Sequence, residues 1–212
     1  MEKREIKAFI FDLDGVLLST DEYHYRAWKT VADEIGVPFD RKTNDRLRGV
    51  SREASLDIIL ESGGVRLTDE EKRKTADKKN AIYKAMLEKL DKTAVSDDIR
   101  EMLERLRKAG YKLAVGSSSR NARLILEKTE LTGAFDAVAD GTEIKRTKPD
   151  PEVFLLAARK LQTEPEQCAV VEDAPAGITA AKKAGMYAVG INTPADQTLS
   201  TAADVGSVVT RH

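Results

Sequence analysis

This sequence has little cysteine, almost no net charge and no long apolar run, and each shortage excludes something. A single cysteine, Cys168, in 212 residues rules out an internal disulfide and suits a reducing compartment. It sits inside a β-like run, where a thiol behaves as a small core residue. Lys plus Arg number 35 against 36 Asp plus Glu, a formal net charge of −1. No bulk positive field exists to draw in nucleic acid or an anionic membrane, so neither is expected as a partner. No segment is apolar for long enough to span a bilayer, and the opening MEKREIKAFIF lacks a signal-peptide apolar region. With 41% hydrophobic and 33% charged residues, the expectation is a globular, cytoplasmic protein, and nothing demands more than a monomer.

Apolar runs of strand length lie at residues 6–11 (IKAFIF), 111–116 (YKLAVG), 168–171 (CAVV) and 186–191 (MYAVGI), with a weaker one at 135–138. Helical patterns at 97–109, 121–131, 150–161 and 174–184 alternate with them, and Gly110 and Gly185 stand where helices stop. Such alternation predicts a parallel sheet covered on both faces by helices. Residues 18–93 break the rhythm. Helical patterns at 21–36, 51–61 and 68–90 follow one another without an intervening strand, and Thr68 with Glu71 is a capping-box pair. With 16 basic and 15 acidic residues, this insert reads as a solvated helical domain at 18–93, within a core of 1–17 and 94–212.

Four clusters at predicted strand ends carry chemistry. Asp12 and Asp14, in Asp12-Leu13-Asp14-Gly15, place two carboxylates at the carboxyl edge of a parallel sheet, where ligands gather. A calcium loop of the EF-hand type does not fit, because its sixth and twelfth positions fall on Leu17 and Tyr23. Ser117, Ser118, Ser119, Arg120 and Asn121 follow the second core strand; they suit an anion, and equally an ordinary helix cap. Lys148 precedes Pro149 on a stiff loop, a position also open to a merely solvated lysine. Glu172 and Asp173 end another strand, and with Asp12 they could share a hard divalent cation or simply favour a helix N-terminus. The order, acids then hydroxyl then lysine then acids, each after its own strand, makes chance agreement improbable.

This order resembles subclass I of the haloacid dehalogenase superfamily, and within it the β-phosphoglucomutase family. Further likeness lies in Glu22-Tyr23-His24-Tyr25-Arg26-Ala27-Trp28, Gly49-Val50-Ser51-Arg52-Glu53, Lys79-Asn80 and the stretch at 131–137. The resemblance implies a Rossmann-like α/β core with an inserted helical cap, acting on a sugar phosphate. It implies Asp12 as nucleophile, Asp14 as general acid and base, and Mg²⁺ held by Asp12, Asp173 and the Asp14 carbonyl, with Glu172 alongside. Ser117 and Lys148 would bind the transferring phosphoryl group. Arg52, with Ser119, Arg120 and Asn121, would hold the second phosphate of a bisphosphate, and Ser118 and Gly49 belong to the same two loops. Thr20 and His24 are implied near the sugar, with Lys79 a further cap contact; Trp28, on their helical stripe, suits core packing better.

The sequence also departs from the family pattern. Ser19 replaces a common Asp, Val95-Ser96-Asp97 replaces Pro-Gly, Arg120 replaces Lys, and no amphipathic helix follows the last strand. A sugar-phosphate phosphatase and a non-catalytic sugar-phosphate sensor are the alternatives. Intact Asp12, Asp14, Lys148 and Asp173 argue against the sensor.

Overall fold

The computed structural model describes residues 5–47 and 50–206. In chain order its elements are β1 (Ala8–Phe11), α1 (Asp21–Glu34), α2 (Arg41–Asp45), α3 (Arg52–Gly63), α4 (Asp69–Leu87), α5 (Asp97–Lys108) and β2 (Lys112–Gly116). There follow α6 (Ala122–Lys128), β3 (Ala137–Ala139), α7 (Glu152–Leu161), β4 (Cys168–Glu172), α8 (Pro175–Lys183), β5 (Tyr187–Ile191) and β6 (Gln197–Leu199). They fall into two compact units, one within Met1–Ser19 and Asp91–His212, the other Thr20–Leu90.

The first unit holds a six-stranded, wholly parallel sheet in the order β3-β2-β1-β4-β5-β6. Parallel strands are buried on both faces, so they read as continuous apolar runs rather than alternating ones. All four residues of β1 and all five of β4 are buried. Alternate residues still separate the two faces. Ala8, Ile10, Ala114, Cys168, Val170 and Ala188 pack against Val153, Phe154 and Ala157 of α7 and Ile178 and Ala181 of α8. On β1 the intervening Phe9 meets Tyr111 edge-on at 5.2 Å between ring centroids, and Phe11 meets Phe135 at 6.2 Å. The fully buried rings of Phe9 and Phe11 each contribute roughly 1.5–3 kcal/mol by leaving water. Helices α5 and α8 both stop in the same way: the N–H groups of Tyr111 and Met186 return to the carbonyls of Leu106 and Ala181, across Gly110 and Gly185.

In the second unit α1 packs against α4, and α3 against α4. Trp28, Val31, Ala32, Leu56, Ile59, Leu60 and Ala76 share its core. The Thr68–Glu71 capping box is formed: the Glu71 N–H donates to the Thr68 hydroxyl at 3.3 Å and the Thr68 N–H to the Glu71 carboxylate at 2.8 Å. Three features differ from the sequence reading. The short α2 has no apolar period and starts from an Asp40 side chain that accepts the Thr43 N–H at 2.8 Å. Polar, three-residue β6 adds a sixth strand. The weak run at 135–138 shifts along the chain, so that Phe135 precedes β3 and packs on Phe11.

Candidate active site

Register assembles the site. Phe11 pairs with Val171 across β1 and β4, so Asp12 and Glu172 emerge side by side, and the Asp12 N–H donates to the Val171 carbonyl at 2.9 Å. The strand order reverses between β1 and β4: the chain runs outward from β1 to β3, then crosses back to β4 and runs outward to β6. A crevice opens at such a reversal, beyond the carboxyl ends of the strands. Residues 13–18 turn back on themselves there, with Asp14 bridged to Leu18 and the Gly15 N–H donating to the Leu18 carbonyl at 2.8 Å.

Lys148, from the β3–α7 loop, is buried and donates to the carboxylates of Asp12 and Glu172, the latter at 2.8 Å. Its ammonium also lies 4.7 Å from the centroid of the Phe154 ring. The second oxygen of Glu172 accepts the Ala174 N–H at 2.7 Å. Carboxylate oxygens of Asp12, Glu172 and Asp173 come within 4.8 Å of one another. Three acids and one ammonium leave an excess of negative charge out of water. Burial pushes Asp12 up to about 8, with Lys148 opposing and Glu172 and Asp173 adding to the rise. Burial and the neighbouring Glu172 push Asp173 up to about 7. For Lys148 burial favours the neutral amine, but Asp12 and Glu172 win and hold it above its ordinary value.

Two glycines outside the candidate residues make this packing possible. Gly15 has φ +82°, and a Cβ there would lie 2.1 Å from an oxygen of Asp173. A Cβ on Gly177 would lie 1.8 Å from an oxygen of Glu172. Gly15 was visible in the Asp-Leu-Asp-Gly motif. Gly177 carries no local signal, because its neighbour is on another element.

The serine loop continues from β2. Ser117 is buried and its N–H donates to the Ala139 carbonyl at 3.0 Å. The Ser119 N–H donates to the Ser117 hydroxyl and the Asn121 N–H to the Ser119 hydroxyl, each at 3.2 Å. The Ser118 hydroxyl is buried with no hydrogen-bond partner among the described residues, and Arg120 is exposed.

In the second unit the stripe of Thr20, His24 and Trp28 meets α4. The Thr20 hydroxyl and the Tyr83 hydroxyl lie 2.7 Å apart, and His24 stacks on Tyr83 at 4.1 Å. Lys79 is buried, 2.7 Å from His24 Nδ1 and 4.8 Å from the Trp28 ring centroid. Tyr83 was not singled out in the sequence, although it stands one helical turn from Lys79. Arg52 opens α3 after the N-cap Ser51; Gly49 lies outside the described residues. Among the described residues no helix is long and apolar enough to cross a membrane.

A haloacid dehalogenase-like hydrolase family model matches residues 6–185. The chain is 45% identical to the β-phosphoglucomutase of Bacillus subtilis over 188 residues, 88% of this chain and 83% of that protein. It is 32% identical to a phosphorylated carbohydrates phosphatase of Thermotoga maritima, over 85% of this chain and 82% of that one. The crystal structure of a β-phosphoglucomutase from Clostridium difficile superposes with a TM-score of 0.89 at 36% identity, covering 94% of this chain and 93% of the other. The parallel sheet, the charged crevice at its strand reversal and these likenesses agree: the chain belongs to the haloacid dehalogenase-like hydrolase family, as an enzyme homologous to β-phosphoglucomutase.

Proposed function

We propose that this enzyme is a Mg²⁺-dependent mutase that interconverts β-D-glucose 1-phosphate and glucose 6-phosphate through the 1,6-bisphosphate. The observation that carries the proposal is the convergence of Asp12, Lys148, Glu172 and Asp173 at the β1–β4 reversal, joined to 45% identity with the Bacillus enzyme. The donor set fits the metal. Hard carboxylate oxygens suit Mg²⁺, and the raised carboxyl groups of Asp12 and Asp173 mark a surplus of negative charge that a divalent cation relieves. Asp12, Asp173 and the Asp14 backbone carbonyl would hold it with Glu172 alongside, and it would supply charge neutralisation at the phosphoryl oxygens.

An Asp12 carboxylate oxygen attacks phosphorus in line as the bond to the sugar oxygen breaks, giving an aspartyl phosphate. Lys148 and Ser117 bind the transferring group, the ammonium offsetting its charge. Asp14 protonates the departing oxygen, then takes the proton from the sugar hydroxyl that accepts the phosphoryl group in the return step. Arg52, Ser119, Arg120 and Asn121 hold the phosphate that is not reacting, Arg through its two-pronged geometry. Thr20, His24 and Lys79 serve the sugar from the helical unit, which acts as the cap. The 32% identity to the Thermotoga phosphatase supports a second reading, hydrolysis of a sugar phosphate by the same nucleophile.

One assay separates the two. With Mg²⁺, β-glucose 1-phosphate and catalytic glucose 1,6-bisphosphate, glucose 6-phosphate and free phosphate are followed separately. Glucose 6-phosphate without phosphate release is the expected result, and predominant phosphate release refutes the mutase. Asp12→Asn should abolish turnover while the fold survives; substantial residual activity would remove Asp12 from the nucleophile role. Arg52→Ala should weaken bisphosphate binding far more than it slows hydrolysis of a small phosphate ester. Equal losses would make Arg52 structural.

A further inference from the structure

We propose that Gly141 and the Arg123–Asp140 pair are positioning residues, which hold the 117–121 loop in the shape that receives a phosphate; this rests on the phosphotransfer reading. Strands β2 and β3 end side by side, Gly116 against Ala139, and the two loops that follow stay in contact. The Ser117 N–H donates to the Ala139 carbonyl at 3.0 Å, and the Gly141 N–H to the Ser119 carbonyl at 3.1 Å. With Ser119 and Asn121 donating to serine hydroxyls, alternate N–H groups of the loop are turned inward. Those of Ser118 and Arg120 make no hydrogen bond among the described residues. The Ser118 and Arg120 N–H groups left free in this way are backbone donors of the kind a phosphate oxygen accepts from.

Gly141 passes directly against this turn. A Cβ there would lie 2.2 Å from the Ser118 carbonyl oxygen and 3.0 Å from the Arg120 nitrogen. The Arg120 Cγ lies equally near at 3.0 Å, but the shortest contact is to a backbone oxygen, so any side chain at 141 must displace the loop itself. A second tie lies a few residues along. Arg123, on α6, forms an ion pair with Asp140 Oδ2 at 2.9 Å, an oxygen with no hydrogen-bond partner among the described residues, and its guanidinium donates to the Val138 carbonyl at 3.1 Å and the Glu143 carboxylate at 3.0 Å. Asp140 is buried, and its other oxygen accepts the Thr142 N–H at 2.8 Å and the Thr142 hydroxyl at 2.5 Å. Removing the guanidinium leaves a buried carboxylate without its cation, so the β3–α7 loop must rearrange. The same loop leads to Lys148, but neither Gly141 nor Arg123 belongs to the acid cluster around it.

The test compares Gly141→Ala, Arg123→Gln and Arg123→Lys with the parent. Calorimetry gives the affinities for Mg²⁺, inorganic phosphate and glucose 1,6-bisphosphate, and steady-state assays give KM and kcat. Gly141→Ala should weaken bisphosphate binding and raise its KM about tenfold or more, as misplacement by an ångström does, with Mg²⁺ affinity within about twofold. Arg123→Gln should act in the same direction, and Arg123→Lys should recover most of the loss by restoring the charge. Unchanged bisphosphate affinity in both Gly141→Ala and Arg123→Gln overturns the proposal, as does an equal fall in Mg²⁺ affinity. If Gly141→Ala does not fold, the Arg123 pair decides. A parent that binds the bisphosphate without isomerising it refutes the mutase and leaves this inference standing on the binding data.

Discussion

Glu172 is held from three directions: by the Lys148 ammonium, by the Ala174 N–H, and by the space that Gly177 leaves for its carboxylate. The third is the most easily tested. Gly177 lies within α8, where Ala is intrinsically better by about 1 kcal/mol. If the space were irrelevant, Gly177→Ala would stabilise the protein. The expected result is the opposite: loss of Glu172 placement, with Mg²⁺ affinity and turnover each falling at least about tenfold. Binding calorimetry and urea unfolding of the variant check it, and a more stable, fully active protein would show that Glu172 has room to spare. The acids themselves were legible as residues, because pairs of carboxylates at the ends of apolar runs stand out in any reading. Gly15 stood out only as part of the Asp-Leu-Asp-Gly motif, and Gly177 not at all, since a close approach between a strand end and the next helix has no residue pattern of its own.

At the scale of elements, boundaries follow local chemistry wherever a cap or an apolar period exists. Four of the six strands lie within or closely on the apolar runs at 6–11, 111–116, 168–171 and 186–191, because a doubly buried strand must be apolar throughout. The elements that escaped, α2 and β6, carry no such signature: α2 depends on the Asp40 cap and β6 on pairing with β5. Helix α4 lies at the other extreme. It is long and strongly charged, and its first turn is secured by Thr68 and Glu71 on the surface. Thr68→Ala should lower stability by about 1 kcal/mol, read as a shifted urea midpoint, with kcat unchanged. A larger loss would mean that Thr68 supports more than the helix end.

For the whole molecule, the acid cluster couples stability to pH. The folded-state values for Asp12, about 8, and Asp173, about 7, lie above the 3.8 of an ordinary Asp. Between these limits the metal-free folded protein binds more protons than the unfolded chain, so stability falls as pH rises. The contribution is complete below about pH 4 and is lost as pH climbs through 7 and 8. Urea midpoints in EDTA should therefore drop between pH 6 and pH 9, and Mg²⁺ should remove most of the drop. A flat profile in EDTA would show that the carboxylates are not raised.

The alternation of strand and helix, the helical insert and the kinds of side chain at each strand end can be read from the residues alone, because burial and capping act on neighbouring residues. Packing between elements settles the rest. Only the β1–β4 register sets Asp12 beside Glu172, only the fold of the β3–α7 loop brings Lys148 across 136 positions to Asp12, and only packing shows which glycines must remain glycines. Those relations depend on how separate elements pack against one another, and no local pattern of residues encodes them.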